Sequence, residues 1–280
     1  MMNALVLQSD FGLEDGAVSA MKGVAHNVSK LISIYDNTHD IPPFDIWAGS
    51  YRLLQTIGYW PESTVFVSVV DPGVGSERKS VVAQTNNNQY IVTPDNGTLT
   101  HVHQKVGIKQ MREIDENLNR LPKSGASHTF HGRDIYAYTG ARLAAGVISF
   151  QEVGRELDLA DIEQLTFYEP EKTDNMIRGT IDILDVRFGN LWTNISRELF
   201  LSLGIHYGDA IEIEIVNDIR RMYRNSMTFG RSFAAIQLGE PVLYVNSLDN
   251  MAVAINQGSF ARAHNIGTGS NWHIYIKRID

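Results

Sequence analysis

The sequence predicts an α/β fold: a parallel-sheet α/β domain over residues 1–165, a linker over 166–175 and a smaller all-β domain over 176–280. Three observations carry this expectation. Continuous apolar runs alternate with helical patterns through the first half, the order that builds a parallel sheet. The stretch TFYEPEKTDN at 166–175 holds Pro170 and three acidic residues among few apolar ones. Beyond it, strand-like runs recur between Gly, Asn and Asp turns, as in a small sandwich or barrel. A chain of 280 residues is long enough to bury two cores or one large one.

Ala4 to Gln8, Leu31 to Tyr35 and Val65 to Val70 read as continuous apolar strands, the kind buried on both faces of a parallel sheet. Helices are predicted near Asp15 to Val28 and Asp45 to Ile57, giving a β-α-β-α-β order. Strands follow at Ser80 to Thr85 and Gln89 to Thr93, joined by the turn Asn86-Asn87-Asn88, and a helix runs from about Arg133 to Ala145 with a modest apolar stripe. In the second domain the strands are Ile177 to Leu184, Ala210 to Val216, Pro241 to Val245, Met251 to Ile255 and His273 to Ile279. Arg220, Arg221 and Arg224 form a basic cluster that reads as a solvated strand end rather than a binding patch. The sequence contains no internal repeat.

Composition narrows the chemistry. Lys and Arg number 24 against 32 Asp and Glu, for a net charge of -8. That sign opposes nucleic-acid binding, which depends on clustered cations displacing counterions, and suits a small or cationic ligand. With no cysteine, disulfides, thiolate metal sites and Cys nucleophiles are excluded together. The first residues lack the basic start and apolar core of a signal peptide, and no apolar run nears the roughly 20 residues of a membrane span. A cytoplasmic protein without membrane or nucleic-acid partners is therefore expected.

Three predicted strands of the first domain end in an aspartate, Asp10, Asp36 and Asp71. Ligands of open α/β sheets bind outside the carboxyl ends of the strands, so these carboxylates stand where a substrate would, although a lone strand-end Asp also serves turns and caps. The third strand runs on as Asp71-Pro72-Gly73-Val74-Gly75-Ser76-Glu77-Arg78. It resembles a phosphate loop, yet both the Walker and the Rossmann patterns require glycine where Arg78 stands. What the segment allows is a tight turn returning Arg78 toward Asp71, as a structural ion pair or as part of a site. Downstream, His131 precedes a glycine beside a helix start, an unusual place for a core histidine. His128, His131 and Asp134 have a spacing that suggests metal ligation, but Gly132 breaks the helical face such ligands need, and no metal is expected. His101 and His103 read as structural or exposed. In the second domain, Phe188 and Trp192 offer ring surfaces, Asn190 an amide able to read a purine edge and Asp185 a partner for an ammonium group; a β-turn with core aromatics is the competing reading.

Together these segments resemble the S-adenosylmethionine hydroxide adenosyltransferase family, adenosine-forming hydrolases related to fluorinase and chlorinase. The resemblance spans nearly the whole chain. It is carried by Ser9 to Gly12 (SDFG) with Asp15, Met21-Lys22-Gly23, Asp71 to Gly75 (DPGVG) with Arg78, Pro94 to Gly97 (PDNG), Thr129 to Asp134 (TFHGRD), Phe188 to Ile195 (FGNLWTNI), and Asn246-Ser247 followed by Asn256. It implies an N-terminal α/β domain, a C-terminal β-barrel and a homotrimer whose active sites lie between one subunit's N-domain and its neighbour's C-domain. It also implies hydrolysis of S-adenosylmethionine to adenosine and methionine, without a cofactor. The implied catalytic residues are Asp71, Arg78 and His131. Asp10 matches the ribose-diol carboxylate; Asp15, Asp185 and Ser247 match positions around the methionine amino-acid group; Phe188, Asn190 and Asn256 match the adenine side. Fluorinase and chlorinase place other residues at Asp71 and His131, and fluorinase has an extra loop where this chain has the asparagine turn, which favours water over halide. This chain departs from fluorinase at Phe44, where fluorinase has a tryptophan, and at Leu248, where it has an arginine for the methionine carboxylate. A binding or sensing protein without turnover, and halide-dependent adenosyl transfer, are the alternative functions.

Overall fold

The computed structural model describes residues 4–126 and 129–279; His128 of the metal-ligand reading lies outside them. The chain divides into two compact units, the first ending at Leu165 and the second beginning at Thr166.

The first unit contains strands β1 (Leu5–Ser9), β2 (Ile34–Thr38), β3 (Val65–Val69), β4 (Ser80–Thr85), β5 (Tyr90–Pro94), β6 (Ile108–Glu113) and β7 (Glu156–Leu157). Its helices are α1 (Ala17–Val28), α2 (Ile46–Ile57), α3 (Thr100–Lys105) and α4 (Tyr138–Ala144), the last preceded by a π-helical turn, Gly132–Ala137. The sheet order is β2-β1-β3-β5-β4-β6-β7. The expected parallel arrangement holds for β2, β1, β3 and β5, which are mutually parallel. The sheet as a whole is mixed, because β4 runs antiparallel to β5 and β6. The Asn86–Asn88 turn is too short for a crossover, so β4 and β5 have no choice but a hairpin. Strand β1 is buried along its length: Leu5 and Leu7 join a core with α1 and α4 residues such as Met21 and Ala141, while Val6 joins another with Leu53 and Ile57 of α2. Helices on both faces explain why this strand reads as an unbroken apolar run.

The second unit contains β8 (Glu171–Lys172), β9 (Met176–Leu184), β10 (Leu191–Ser196), α5 (Arg197–Leu201), β11 (Ala210–Asn217), β12 (Arg220–Phe229), β13 (Pro241–Val245), β14 (Asn250–Ile255), α6 (Phe260–His264) and β15 (Gly269–Arg278). Strands β10-β14-β13-β12-β11-β15-β9 follow one another, and β9 pairs back onto β10, closing a seven-stranded barrel with β8 added outside on β9. Closure removes the sheet edges. The barrel is filled by Ile181, Leu191, Phe229, Val253, Phe260 and Ile276, among others.

Some elements differ from expectation. The second strand begins at Ile34 rather than Leu31, which puts Asp36 inside β2 instead of at its end. The helix expected from Arg133 opens as a π-turn. The second unit carries two short helices within a pattern that reads as strand only. Its basic cluster lies on β12, where Arg221 pairs with Glu214 at 2.7 Å and Arg224 with Glu212 at 3.1 Å across the ladder. These cross-strand pairs account structurally for two of the three arginines, Arg221 and Arg224.

Candidate active site

In the first unit the strand ends and three loops converge. Asp71 follows β3 directly, and the backbone N–H of Val74 closes a turn onto its carbonyl at 3.2 Å. Gly75, at φ +80°, takes a conformation that L side chains avoid and lets the loop double back. Arg78 thereby returns to Asp71, as its spacing suggests: Nε donates to Oδ1 at 2.8 Å and Nη2 to Oδ2 at 2.5 Å. The PDNG motif supports this corner from the next strand, since Asn96 Nδ2 donates to the Val70 carbonyl at 2.9 Å.

His131 stands at the mouth of the π-turn. Gly132 lets the ring of Phe11 approach, for a Cβ there would sit 2.9 Å from Phe11 Cε2, and Phe11 meets Phe130 edge to face at 5.7 Å. The SDFG and TFHGRD motifs are therefore packed together. Arg78 Nη2 lies 3.0 Å from His131 Nδ1. A guanidinium only donates, so Nδ1 accepts and a neutral His131 carries its proton on Nε2. Burial, followed by the Arg78 charge, holds His131 below the ordinary histidine value, which keeps it neutral near pH 7. Its Nε2 is buried and has no hydrogen-bond partner among the described residues, a costly state for a donor unless a ligand engages it.

A third layer fixes the guanidinium. Arg78 Nη1 donates to Ser80 Oγ at 3.1 Å, and Ser80 in turn donates to Glu116 Oε1 at 3.2 Å. Tyr136 is buried and its hydroxyl lies 3.2 Å from the same Oγ. Burial, reinforced by the Asp71 charge, raises the Tyr136 phenol and keeps it a donor. Burial opposes the charge of Arg78, but its bonds to Asp71 outweigh that and raise its pKa. Nothing in the sequence marks Ser80, Glu116 or Tyr136, because their importance arises only from convergence in space.

Asp10 follows β1, one strand over from Asp71. Its Oδ2 accepts the Phe44 N–H at 2.9 Å. Asp15 is exposed and accepts the Ala17 N–H at 2.8 Å in the first turn of α1, a helix-start role. Asp36 is held by Lys22 at 2.6 Å and His39 at 3.1 Å. Asp134 is fully buried and engaged by Arg133 at 2.7 Å, which leaves it no freedom to ligate. Among the described residues no group of three His, Asp or Glu is arranged to hold a metal.

In the second unit, Phe188, Asn190 and Asn256 line one cleft of about 600 Å³. The turn carrying Phe188 depends on Gly189, whose φ is +70° and where a Cβ would fall 1.9 Å from Ser259 Oγ. Phe188 is 66% exposed, while Asn190 is buried beneath the cleft. Asp185 closes the same turn, accepting the Gly189 N–H at 2.7 Å and donating to the Asn190 carbonyl at 2.9 Å through its backbone. Asn256 is committed: Nδ2 donates to the carbonyls of Phe233 at 3.2 Å and Ile236 at 2.7 Å. It thereby pins the short turn that puts Phe233 on the cleft wall, leaving only Oδ1 for a ligand. Phe233, Arg187 and Ser259 also line the cleft and are not apparent from the sequence; an aromatic among Gly230, Arg231 and Ser232 is the one available signal for Phe233. Ser247 is exposed on the β13–β14 turn, which Asn246 Oδ1 closes onto the N–H groups of Leu248 at 2.9 Å and Asn250 at 3.1 Å.

Comparison with known proteins decides the family. Residues 5–154 match the SAM hydroxide adenosyltransferase N-terminal domain and residues 179–273 the corresponding C-terminal domain. The chain belongs to the SAM hydroxide adenosyltransferase family. Members similar to it include an (R)-S-adenosyl-L-methionine hydrolase of Methanocaldococcus jannaschii, 41% identical over 77% of this chain and 74% of that one. A fluorinase of Actinopolyspora mzabensis is 28% identical over 95% of this chain and 94% of its own. The crystal structure of a conserved protein from Thermotoga maritima superposes with a TM-score of 0.89 at 32% identity, covering 98% of this chain and all of that one. The adenosyltransferase fold, an α/β unit followed by a closed barrel, agrees with the architecture expected from the sequence.

Proposed function

We propose that this adenosyltransferase hydrolyses S-adenosylmethionine to adenosine and methionine by attack of water on C5′ of the ribose. The observation that carries the reading is the Asp71–Arg78–His131 cluster, with a buried His131 Nε2–H that has no partner among the described residues. In the step, the water oxygen bonds to C5′ as the C5′–S bond breaks, and the bond pair returns to sulfur as neutral thioether methionine. The oxygen then carries excess positive charge and must lose a proton. His131 Nε2–H donates to the incoming oxygen and orients it. Arg78 holds both His131 and Asp71, and the proton passes to Asp71, whose oxygens keep lone pairs beyond those bonded to Arg78. Because the oxygen is strongly acidic once bonded, a carboxylate that is a weak base suffices. Exclusion of bulk water from the cluster strengthens its electrostatics. The sulfonium supplies its own leaving group, so the reaction draws on no metal or redox cofactor.

Around this centre Asp10 binds the ribose diol, Asp15, Asp185 and Ser247 surround the methionine amino-acid group, and Phe188, Asn190 and Asn256 take the adenine. The hydrolase relatives are named for the (R) epimer at sulfur, and we extend that substrate to this chain. Cleavage turns the chiral sulfonium into an achiral thioether, so either epimer gives the same products. The protein acts as a homotrimer in the cytoplasm, each site formed by one copy's first unit and its neighbour's second. Exposed apolar side chains near the assigned residues support association: Leu13 and Phe44 beside Asp10, and Val186 beside Phe188. No helix among the described residues is long and apolar enough to cross a membrane.

Separate incubation with the two sulfonium epimers, with and without added chloride or fluoride, tests the proposal. Equal yields of adenosine and methionine, greater from the (R) epimer and unaffected by halide, are expected. Formation of 5′-halo-5′-deoxyadenosine would instead assign halide transfer, and intact substrate at saturation a binding protein.

A further inference from the structure

Asp36, Lys22 of the MKG motif and the serine of SDFG take no part in the chemistry above, yet they join one line of hydrogen bonds. Lys22 Nζ donates to Asp36 Oδ2 at 2.6 Å, Asp36 Oδ1 lies 3.1 Å from His39 Nε2, and His39 Nδ1 lies 2.6 Å from Ser9 Oγ. Ser9 is wholly buried and His39 is 3% exposed. Burial raises the Asp36 carboxyl, but the bonds from Lys22 and His39 prevail and hold it below the usual range. It is therefore an acceptor, which places the His39 proton on Nε2 and makes Nδ1 accept from the Ser9 hydroxyl. Burial outweighs the pull of Asp36 and keeps His39 below its ordinary value, in agreement with a neutral ring. Although Ser9, His39 and Asp36 have the composition of a nucleophilic triad, a serine with no exposed surface cannot meet a substrate.

The line ends at the ribose-diol carboxylate. Ser9 directly precedes Asp10, and its Oγ also accepts the Phe11 N–H at 3.3 Å. The His39 carbonyl accepts the Gly12 N–H at 2.8 Å. Five residues beyond His39, the Phe44 N–H donates to Asp10 Oδ2 itself. Asp10 is thus gripped on its amino side through the Ser9 hydroxyl, on its carboxyl side through Gly12, and at its side chain through Phe44, all from the 39–44 segment.

We infer that His39 is a positioning residue, acting through Ser9 and Gly12 to hold Asp10 where it grips the ribose diol, with Lys22 and Asp36 orienting its ring. The inference rests on the assignment of Asp10 to the diol and deepens it. Its signature is discrimination between a ribose and a ribose lacking one hydroxyl, because a displaced Asp10 loses only the bonds that the diol makes.

The test is calorimetric binding of adenosine and 2′-deoxyadenosine to the full-length protein, wild type, His39→Ala and Ser9→Ala. Wild type is expected to prefer adenosine, and both variants to lose roughly tenfold of that preference, with 2′-deoxyadenosine, which keeps one of the two hydroxyls, weakened less than adenosine. If His39→Ala does not fold, Ser9→Ala decides, since it removes one hydroxyl and leaves the Gly12 bond in place. A preference unchanged in the variants, or an equal loss for both ligands, overturns the positioning role. No preference in wild type overturns the assignment of Asp10 to the diol, and the inference with it.

Discussion

Arg78 makes more of the site than any other residue: it clamps Asp71 by two bonds, sets the His131 tautomer by a third and is braced by Ser80 through a fourth. It acts by holding Asp71 and His131, the two groups that meet the reacting oxygen, rather than by binding substrate. Arg78→Ala should therefore lower kcat by roughly 10²-fold or more, the scale of misplacing catalytic groups, with KM changed only a few-fold; steady-state kinetics check both, and an equal loss of binding and turnover would contradict the role. His131 gives a pH signature. Its pKa lies below the ordinary 6.5, and protonation puts a hydrogen on Nδ1 where the Arg78 N–H already points. Activity is thus constant above that pKa and falls as pH drops through it, so the acidic limb of kcat/KM should have its midpoint below 6.5. A midpoint at or above 6.5 would mean that the ring titrates free of Arg78. Asp71, Arg78 and His131 were legible in the sequence because Asp71 ends a predicted strand, Arg78 follows a glycine-permitted turn that returns toward it, and His131 precedes a glycine at a helix start. Ser80 and Tyr136 were not, since a strand serine and a helical tyrosine look like ordinary core.

At the scale of elements, α2 and α3 are coupled by a buried histidine. His101 is 1% exposed, meets the rings of Trp47 and Tyr51 at 4.5 and 5.4 Å, and lies 2.9 Å from Ser50 Oγ through Nδ1. Burial pushes its pKa down to about 3. The unfolded chain takes up this proton near pH 6.5 and the folded chain does not, so stability is full above about 6.5 and declines as pH falls toward 3. Between pH 6.5 and 5 the loss from this residue should be on the order of 2 kcal/mol. Urea midpoints for wild type and His101→Gln check it: the variant starts less stable at pH 7 and loses less on acidification, and parallel declines would remove His101 from the account. Strands with one character throughout, such as β1, β3 and β13, were legible. Others, such as β10 and β12, were hidden because polar residues interrupt the apolar pattern: Thr193 and Asn194 of β10 are buried and hydrogen-bonded, and the arginines Arg221 and Arg224 of β12 pair across the ladder. Asp36 was misplaced for a related reason: the run Leu31 to Tyr35 reads as strand, but pairing with β1 begins only at Ile34.

For the whole molecule, the proposal divides each site between two copies of the chain. Arg78→Ala damages the first unit's share and Asn190→Ala the second's. Either homotrimer should be nearly inactive, but after unfolding and remixing the two together, about a quarter of the interfaces in random trimers combine two intact halves. Recovery of activity on mixing checks the arrangement, and a mixture no better than its parents would place each site within one chain. The acidic balance of the sequence also makes sense at this scale. Total charge was only compatible with a cationic ligand, whereas the proposal draws on position: Asp10 and Asp71 follow strands of the first unit, and Asp185 closes a turn of the second.

The central claim is that solvent supplies the new bond at C5′. Turnover of S-adenosylmethionine in oxygen-18 water, with mass spectrometry of both products, measures it most directly. The account expects the label in the 5′ oxygen of adenosine, equimolar with unlabelled methionine; adenosine without the label would contradict it.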